Sequence, residues 1–163
     1  TKDRRALWRL LKAMTNDAVQ HDESKPDLLA DILRQAARGI GTGGLVFVIA
    51  DFNREHRGLV QGLAQLRQRH AVVLVPVDDP AERDLPDMGD VMFRGPDGEL
   101  LTVNTADAVG RDAYRQAWQQ RRNNLVQLAN GSGCALIPVD TAADVHATLM
   151  QGLERRLRMR SFL

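Results

Sequence analysis

Cysteine is nearly absent from this chain of 163 residues. Cys134 stands alone, so an internal disulfide is excluded, and a reducing, cytoplasmic setting is expected. Serine is scarce as well. Ser24, Ser132 and Ser161 are the whole set, and none lies in a G-x-S-x-G elbow, which leaves a serine-hydrolase triad without a nucleophile. No apolar run approaches the ~18 residues that span a bilayer. No signal-peptide pattern opens the chain, because Thr1-Lys-Asp-Arg-Arg leads into an amphipathic segment. Excess charge is lacking too. The formal net charge is +1, so the total points neither to a nucleic-acid binder nor to an acidic tail protein. The basic end at Arg155, Arg156, Arg158 and Arg160 has no interleaved aromatics for base stacking. It reads as a solvated helix end that complements the helix dipole, and Arg121-Arg122 reads the same way.

What is present is an α/β pattern of the length of a single domain, residues 1–163. Arg4 to Met14 has Leu7, Leu10, Leu11 and Met14 at helical spacing, with a basic outer face. Ser24, with Asp27 as capping-box partner and Pro26 in the first turn, is expected to start a second helix that stops at Gly39. Leu45 to Ala50 is a short apolar run that reads as a strand buried on both faces. Asn53 is the expected cap of a helix that buries Leu59, Val60, Leu63 and Leu66. Ala71 to Val77 is a second buried strand, and strand–helix–strand with short loops predicts a parallel right-handed crossover. Val91–Arg94 and Glu99–Val103 flank Gly95-Pro-Asp-Gly98 and predict an inserted β-hairpin. Thr105 is expected to cap a long helix to about Asn130, and Cys134 to Val139 to form a third buried strand. Thr141 with Asp144 makes a further capping box for the last helix, which carries Val145, Leu149, Leu153 and Leu157.

Gly39-Ile-Gly41-Thr-Gly43-Gly44 matches the dinucleotide fingerprint as a string. The fingerprint must follow a strand and open a helix, and here a helix ends and a strand begins. A nucleotide-binding reading therefore fails on context. Each predicted parallel strand ends in acid: Asp51, Asp78 with Asp79, and Asp140. In an open parallel sheet those ends share one edge, where ligands bind. Three or more of these carboxylates around one ion would make a metal-dependent enzyme, whereas Asp at strand ends also serves as turn former and helix cap. His21, His56, His70 and His146 form no zinc spacing with Cys134. His56 and His70 bracket one helix and read as surface residues. Trp8 and Trp118 read as helix packing residues, and Cys134 as an inert core thiol.

The order of several segments is more specific. Val46-Phe-Val-Ile-Ala-Asp51-Phe52 is followed by Arg69-His70-Ala-Val-Val and by Asp79-Pro80-Ala-Glu82-Arg-Asp-Leu85-Pro86. Gly89-Asp-Val-Met-Phe, Asp97-Gly98-Glu99-Leu-Leu-Thr-Val-Asn-Thr105 and Ala113-Tyr114 come next. This resembles the carboxyl-terminal half of the bacterial family catalogued as domain of unknown function fifty-eight. The resemblance implies a fold like von Willebrand factor A, a three-layer, doubly wound, mostly parallel sheet, here lacking its first strands. It also implies a non-enzymatic protein-binding role beside a MoxR-type AAA ATPase in chaperone-like assembly. The fold's metal-dependent adhesion site uses an Asp-x-Ser-x-Ser loop, a Thr and a later Asp. Asp51 matches that Asp. The loop does not occur here, Pro26 stands at the Thr position, and Ala50 stands where many relatives have serine. Mg2+ or another divalent cation is thus expected at Asp51 only if the loop is supplied upstream of Thr1. With the first strands upstream, Leu45–Ala50 would lack a neighbour on one side, and either a homodimer through that edge or a chain that is a fragment of a longer protein is expected.

Overall fold

The computed structural model describes residues 2–17, 28–53, 58–95 and 98–160. The helices are α1 (Lys2–Asp17), α2 (Leu28–Gly39), α3 (Leu59–Arg67), α4 (Pro80–Arg83), α5 (Ala108–Gly131) and α6 (Val145–Arg160). The strands are β1 (Leu45–Ala50), β2 (Ala71–Asp78), β3 (Asp90–Arg94), β4 (Leu100–Asn104), β5 (Ala135–Leu136) and β6 (Val139–Asp140). The mixed α/β reading and the inserted hairpin hold. The expected cap at Ser24, Pro26 and Asp27, like His21 and His56, falls outside the described residues.

β2 is the centre of a parallel sheet. β1 runs along one side of it in register from Leu45↔Ala71 to Ala50↔Pro76. β5 and β6 pair with the other side, through Leu74↔Leu136 and Val77↔Val139. Cys134 to Val139 was expected as one strand, and the structure splits it. Continuing the register from Leu136 places Pro138 opposite Pro76. Pro76 faces this border as Leu74 does and has no N–H to give it, so the ladder lacks a bond between β5 and β6.

The alternation along β2 sends side chains to two clusters. Val72 and Leu74 pack with Leu33, Leu63, Leu66, Leu125 and Ala129, from α2, α3 and α5. Val73 and Val75 pack with Ile137 and Val139, against Leu149 and Leu153 of α6. Helices therefore pack on both faces of β2. Gly62 allows α3 to lie close on α2, since a Cβ there would come within 3.0 Å of Leu33 Cβ. Gly152 does the same for α6 on the link between β5 and β6, where a Cβ would meet Ile137 Cγ2 at 2.7 Å.

β1 corrects the expectation of a strand buried on both faces. Val48 is buried and Val46 and Ala50 pack on the first cluster, whereas Leu45, Phe47 and Ile49 are exposed. α6 covers β2 and β5 but not the same face of β1. Val60 is exposed on α3, and Trp8 is 68% exposed on α1 rather than packed. The residue at the N-cap of α3 is Gly58, not Asn53. Asp107 caps α5 in place of Thr105, accepting from Val109 and Gly110 N–H at 3.1 Å each. Thr105 instead closes the hairpin base: its hydroxyl accepts from Met88 N–H at 3.0 Å and donates to Gly89 O at 2.9 Å.

Candidate functional site

The carboxyl ends of β1 and β2 converge on one side chain, Arg122 of α5. β1 leaves the sheet through Asp51, Phe52 and Asn53. Phe52 has φ 53°, in the left-handed region. That conformation costs a non-glycine residue about 1–2 kcal/mol. Burial of the Phe52 ring in the first cluster offsets it. The turn presents Asp51 O and Asn53 Oδ1 to Arg122, whose Nη2 donates to them at 2.8 and 2.9 Å. The same Nη2 forms an ion pair with Asp78 at the end of β2. Asp78 Oδ1 is buried with no hydrogen-bond partner among the described residues, and the guanidinium is its ion-pair partner.

This guanidinium is buried, and it lies over the Trp118 ring, 5.2 Å from the centroid. The cation–π contact and the Asp78 carboxylate together offset part of the cost of removing the charge from water. Arg122 Nε, Arg122 Nη1 and Trp118 Nε1 are buried with no acceptor in the described chain. The fixed cation joins β1, β2 and α5 at the edge where an α/β sheet ordinarily takes its ligand.

The other acids hold turns. Asp79 caps α4, with Oδ1 accepting from Ala81 N–H at 2.8 Å and Oδ2 from the Thr141 hydroxyl at 2.7 Å. The Thr141 bond first, and the Ala81 bond second, hold its pKa below the ordinary carboxylate value. Asp140 Oδ1 accepts from Ala142 N–H at 2.8 Å, and its Oδ2 lies 3.8 Å from Arg83 Nη1. Thr141 thus bridges two loops instead of joining a capping box, and Asp144 alone serves the start of α6, accepting from Ala147 N–H at 3.0 Å. Asp84 joins Arg115 and Arg83, which in that order hold its pKa low. The Asp51 carboxylate is exposed and accepts from Asn53 N–H at 3.2 Å. Among the described residues no three His, Cys, Asp or Glu side chains are grouped to hold a metal ion. Asp51, Asp78, Asp79 and Asp140 therefore do not form the ligand set that a metal-dependent enzyme would require.

Residues 1–124 match the family model described as protein of unknown function DUF58. The chain belongs to the DUF58 family. Its similarity to curated proteins is of the same kind. An uncharacterized protein of Mycobacterium bovis is 28% identical over 131 residues, covering 78% of this chain and 39% of that protein. An uncharacterized protein of Mycobacterium avium is 27% identical over 128 residues, covering 78% of this chain and 73% of that one. The chain thus spans about two fifths of the length of the first of these relatives. Among solved structures, the conserved hypothetical protein BatB from Bacteroides thetaiotaomicron is 15% identical, with 82% of this chain and 60% of that chain covered, at a TM-score of 0.44. An aerotolerance-related membrane protein from Bacteroides fragilis is 16% identical, with 78% and 59% covered, at a TM-score of 0.42. Both scores are too low to establish a shared fold.

The DUF58 match covers the strand-end aspartates Asp51, Asp78 and Asp79 together with Arg122. Sequence reasoning placed Arg122 on a solvated face and missed it. The signal was in α5 itself: Trp118, Arg122, Leu125 and Ala129 follow one another at helical spacing, so Arg122 lies on the buried stripe. His70 is also buried rather than on the surface, and its Nδ1 accepts from Gly44 N–H at 3.3 Å. Cys134 is buried as expected, and burial pushes its thiol pKa up.

Proposed function

We propose that this DUF58 chain is a protein-interaction domain of von Willebrand A type, working in the cytoplasm with a MoxR-type AAA ATPase in assembly or chaperone-like roles. The observation that carries this reading is the outer face of β1. Leu45, Phe47 and Ile49 are 48%, 40% and 68% exposed in one row, on a strand that pairs with β2 alone among the described strands. An apolar row beside an open strand edge is a surface that a protein partner can cover by packing and by strand addition. Removal of the strand-end acids into caps and ion pairs also supports it, because binding here then rests on shape and apolar contact rather than on a cation. Among the described residues no helix is long and apolar enough to cross a membrane. A divalent cation would join this reading only at Asp51, and only with ligands from beyond the described residues.

The test is a titration of the chain with a MoxR-type ATPase of the same organism, followed by calorimetry, beside sedimentation of the chain alone over a range of concentrations. Ile49→Lys places a charge in the exposed row and should change stability by no more than about 0.5 kcal/mol. It should abolish ATPase binding and any self-association through β1. Undiminished binding by a folded Ile49→Lys variant would remove β1 from the interface. A sedimentation mass that stays monomeric at high concentration would end the homodimer reading.

A further inference from the structure

The far side of the sheet carries a cleft of about 880 Å3, bordered by the open side of β5, the last turns of α3 and α5, and α6. Its size falls in the range of small-molecule sites, roughly 300–1,000 Å3. Arg67, Arg155 and Arg156 line it, together with the amides Asn130 and Gln151, and no described carboxylate does. The ion pairs among the described residues engage Arg34, Arg83, Arg111, Arg115 and Arg122, so Arg67 and Arg155 have no carboxylate of their own there.

The end of α5 would ordinarily oppose an anion, because its last carbonyls carry the negative end of the helix dipole. Here those carbonyls are occupied. Leu128 O, Ala129 O and Asn130 O accept from the N–H groups of Ser132, Cys134 and Gly133 at 2.9, 2.9 and 3.1 Å. Gly133, at φ 64°, presents bare backbone to Arg67, and a Cβ there would lie 3.1 Å from Arg67 Nη2. Burial of the nearby Cys134 thiol raises its pKa, and the charges of Arg67 and Arg156 act the other way.

An added strand does not fit this border. Pro138 has no N–H, Cys134 N–H is turned into α5, and Ile137 N–H is turned inward to Leu74 O at 2.9 Å. What remains is a compact basic site over an apolar floor of Ala135, Leu136 and Ile137. A guanidinium group matches phosphate geometry, and one phosphate supplies up to two negative charges. We infer that this cleft binds a small phosphate-bearing molecule, with Arg67 and Arg155 on the phosphate and the β5 floor against its apolar part.

Calorimetric titration of the full chain with inorganic pyrophosphate at physiological salt tests this. Saturable single-site binding is expected, and Arg67→Gln and Arg155→Gln should each weaken it about tenfold or more. Arg94→Gln makes the same charge change on the hairpin and should leave it unchanged. Thermal denaturation of each variant without pyrophosphate distinguishes a lost site from a lost fold. No saturable heat, equal loss in Arg94→Gln, or equal displacement by chloride would overturn the inference. So would binding confined to phosphatidylcholine vesicles containing phosphatidic acid, because that assigns the arginines to a membrane surface. The ATPase titration does not depend on these residues, so the two readings fail separately.

Discussion

The two outer strands of the parallel sheet are built in opposite ways. β1 is six residues long, contains no proline, and leaves its outward row of Leu45, Phe47 and Ile49 uncovered. The β5–β6 border is two short pieces separated by Ile137 and Pro138, with α6 packed over it. Exposed strand edges invite pairing, and proline, interruption and a covering helix are the usual protections. Among the described residues the β5–β6 border has all three and β1 has none. The difference teaches that, among the described strands, β1 is the less protected side, and that a partner surface should be sought there.

The largest test of this contrast is Arg122→Ala. Arg122 ties the end of β1 to the end of β2, and removing one partner of a buried pair costs about 3–5 kcal/mol. Chemical denaturation should report that loss, and hydrogen exchange should show β1 amides opening before those of β5 and β6. Uniform opening of both borders would break the contrast. Gly152→Val attacks the protected side, driving a side chain into Ile137 and costing about 1–3 kcal/mol by overpacking. Exchange should then rise in β5 and β6, and β1 should stay unchanged.

The smallest effect is a dependence on acid. The folded pKa of Asp79 is depressed, mainly by Thr141, which joins the loop after β2 to the loop after β6. A depressed carboxylate contributes stability above its unfolded pKa of about 4, and loses it as pH falls through the folded value. Thr141→Val should therefore be slightly less stable than the parent near neutral pH, and the gap should close on acidification. A gap that persists in strong acid would assign the effect to packing. The variant's melting temperature measured across pH decides between them.

Much of this architecture was legible. The bounds of β1, the stop at Gly39, the hairpin and the turn at Gly131-Ser-Gly133 follow from local chemistry, because glycine, proline and β-branched runs act within a few residues. The failures share a different cause. Thr105 and Asp107 are both competent caps, and only the folded hairpin at Gly89 claims Thr105. Leu45, Phe47 and Ile49 look like core residues in any window, and their exposure depends on how far α6 extends over the sheet. Pro138 was visible, but the bond missing from the ladder is the one that Pro76 of β2 cannot give. Arg122 was hidden by its charge, although the stripe of α5 runs through it. Local pattern predicted the elements, and the contested residues were decided by partners many positions away.

The proline break in the β5–β6 border also sets the arithmetic of growth. A sheet open at both sides can add copies without end, as a fibre does. Pro138 leaves the outer side of that border short of a donor, so among the described strands β1 is the side left for joining. Pairing of two copies through β1 consumes both joining sides, so the assembly terminates at two. A partner that occupies β1 first leaves nothing to extend. Pro138 thus acts as a chain terminator on the side of the sheet opposite the joining strand.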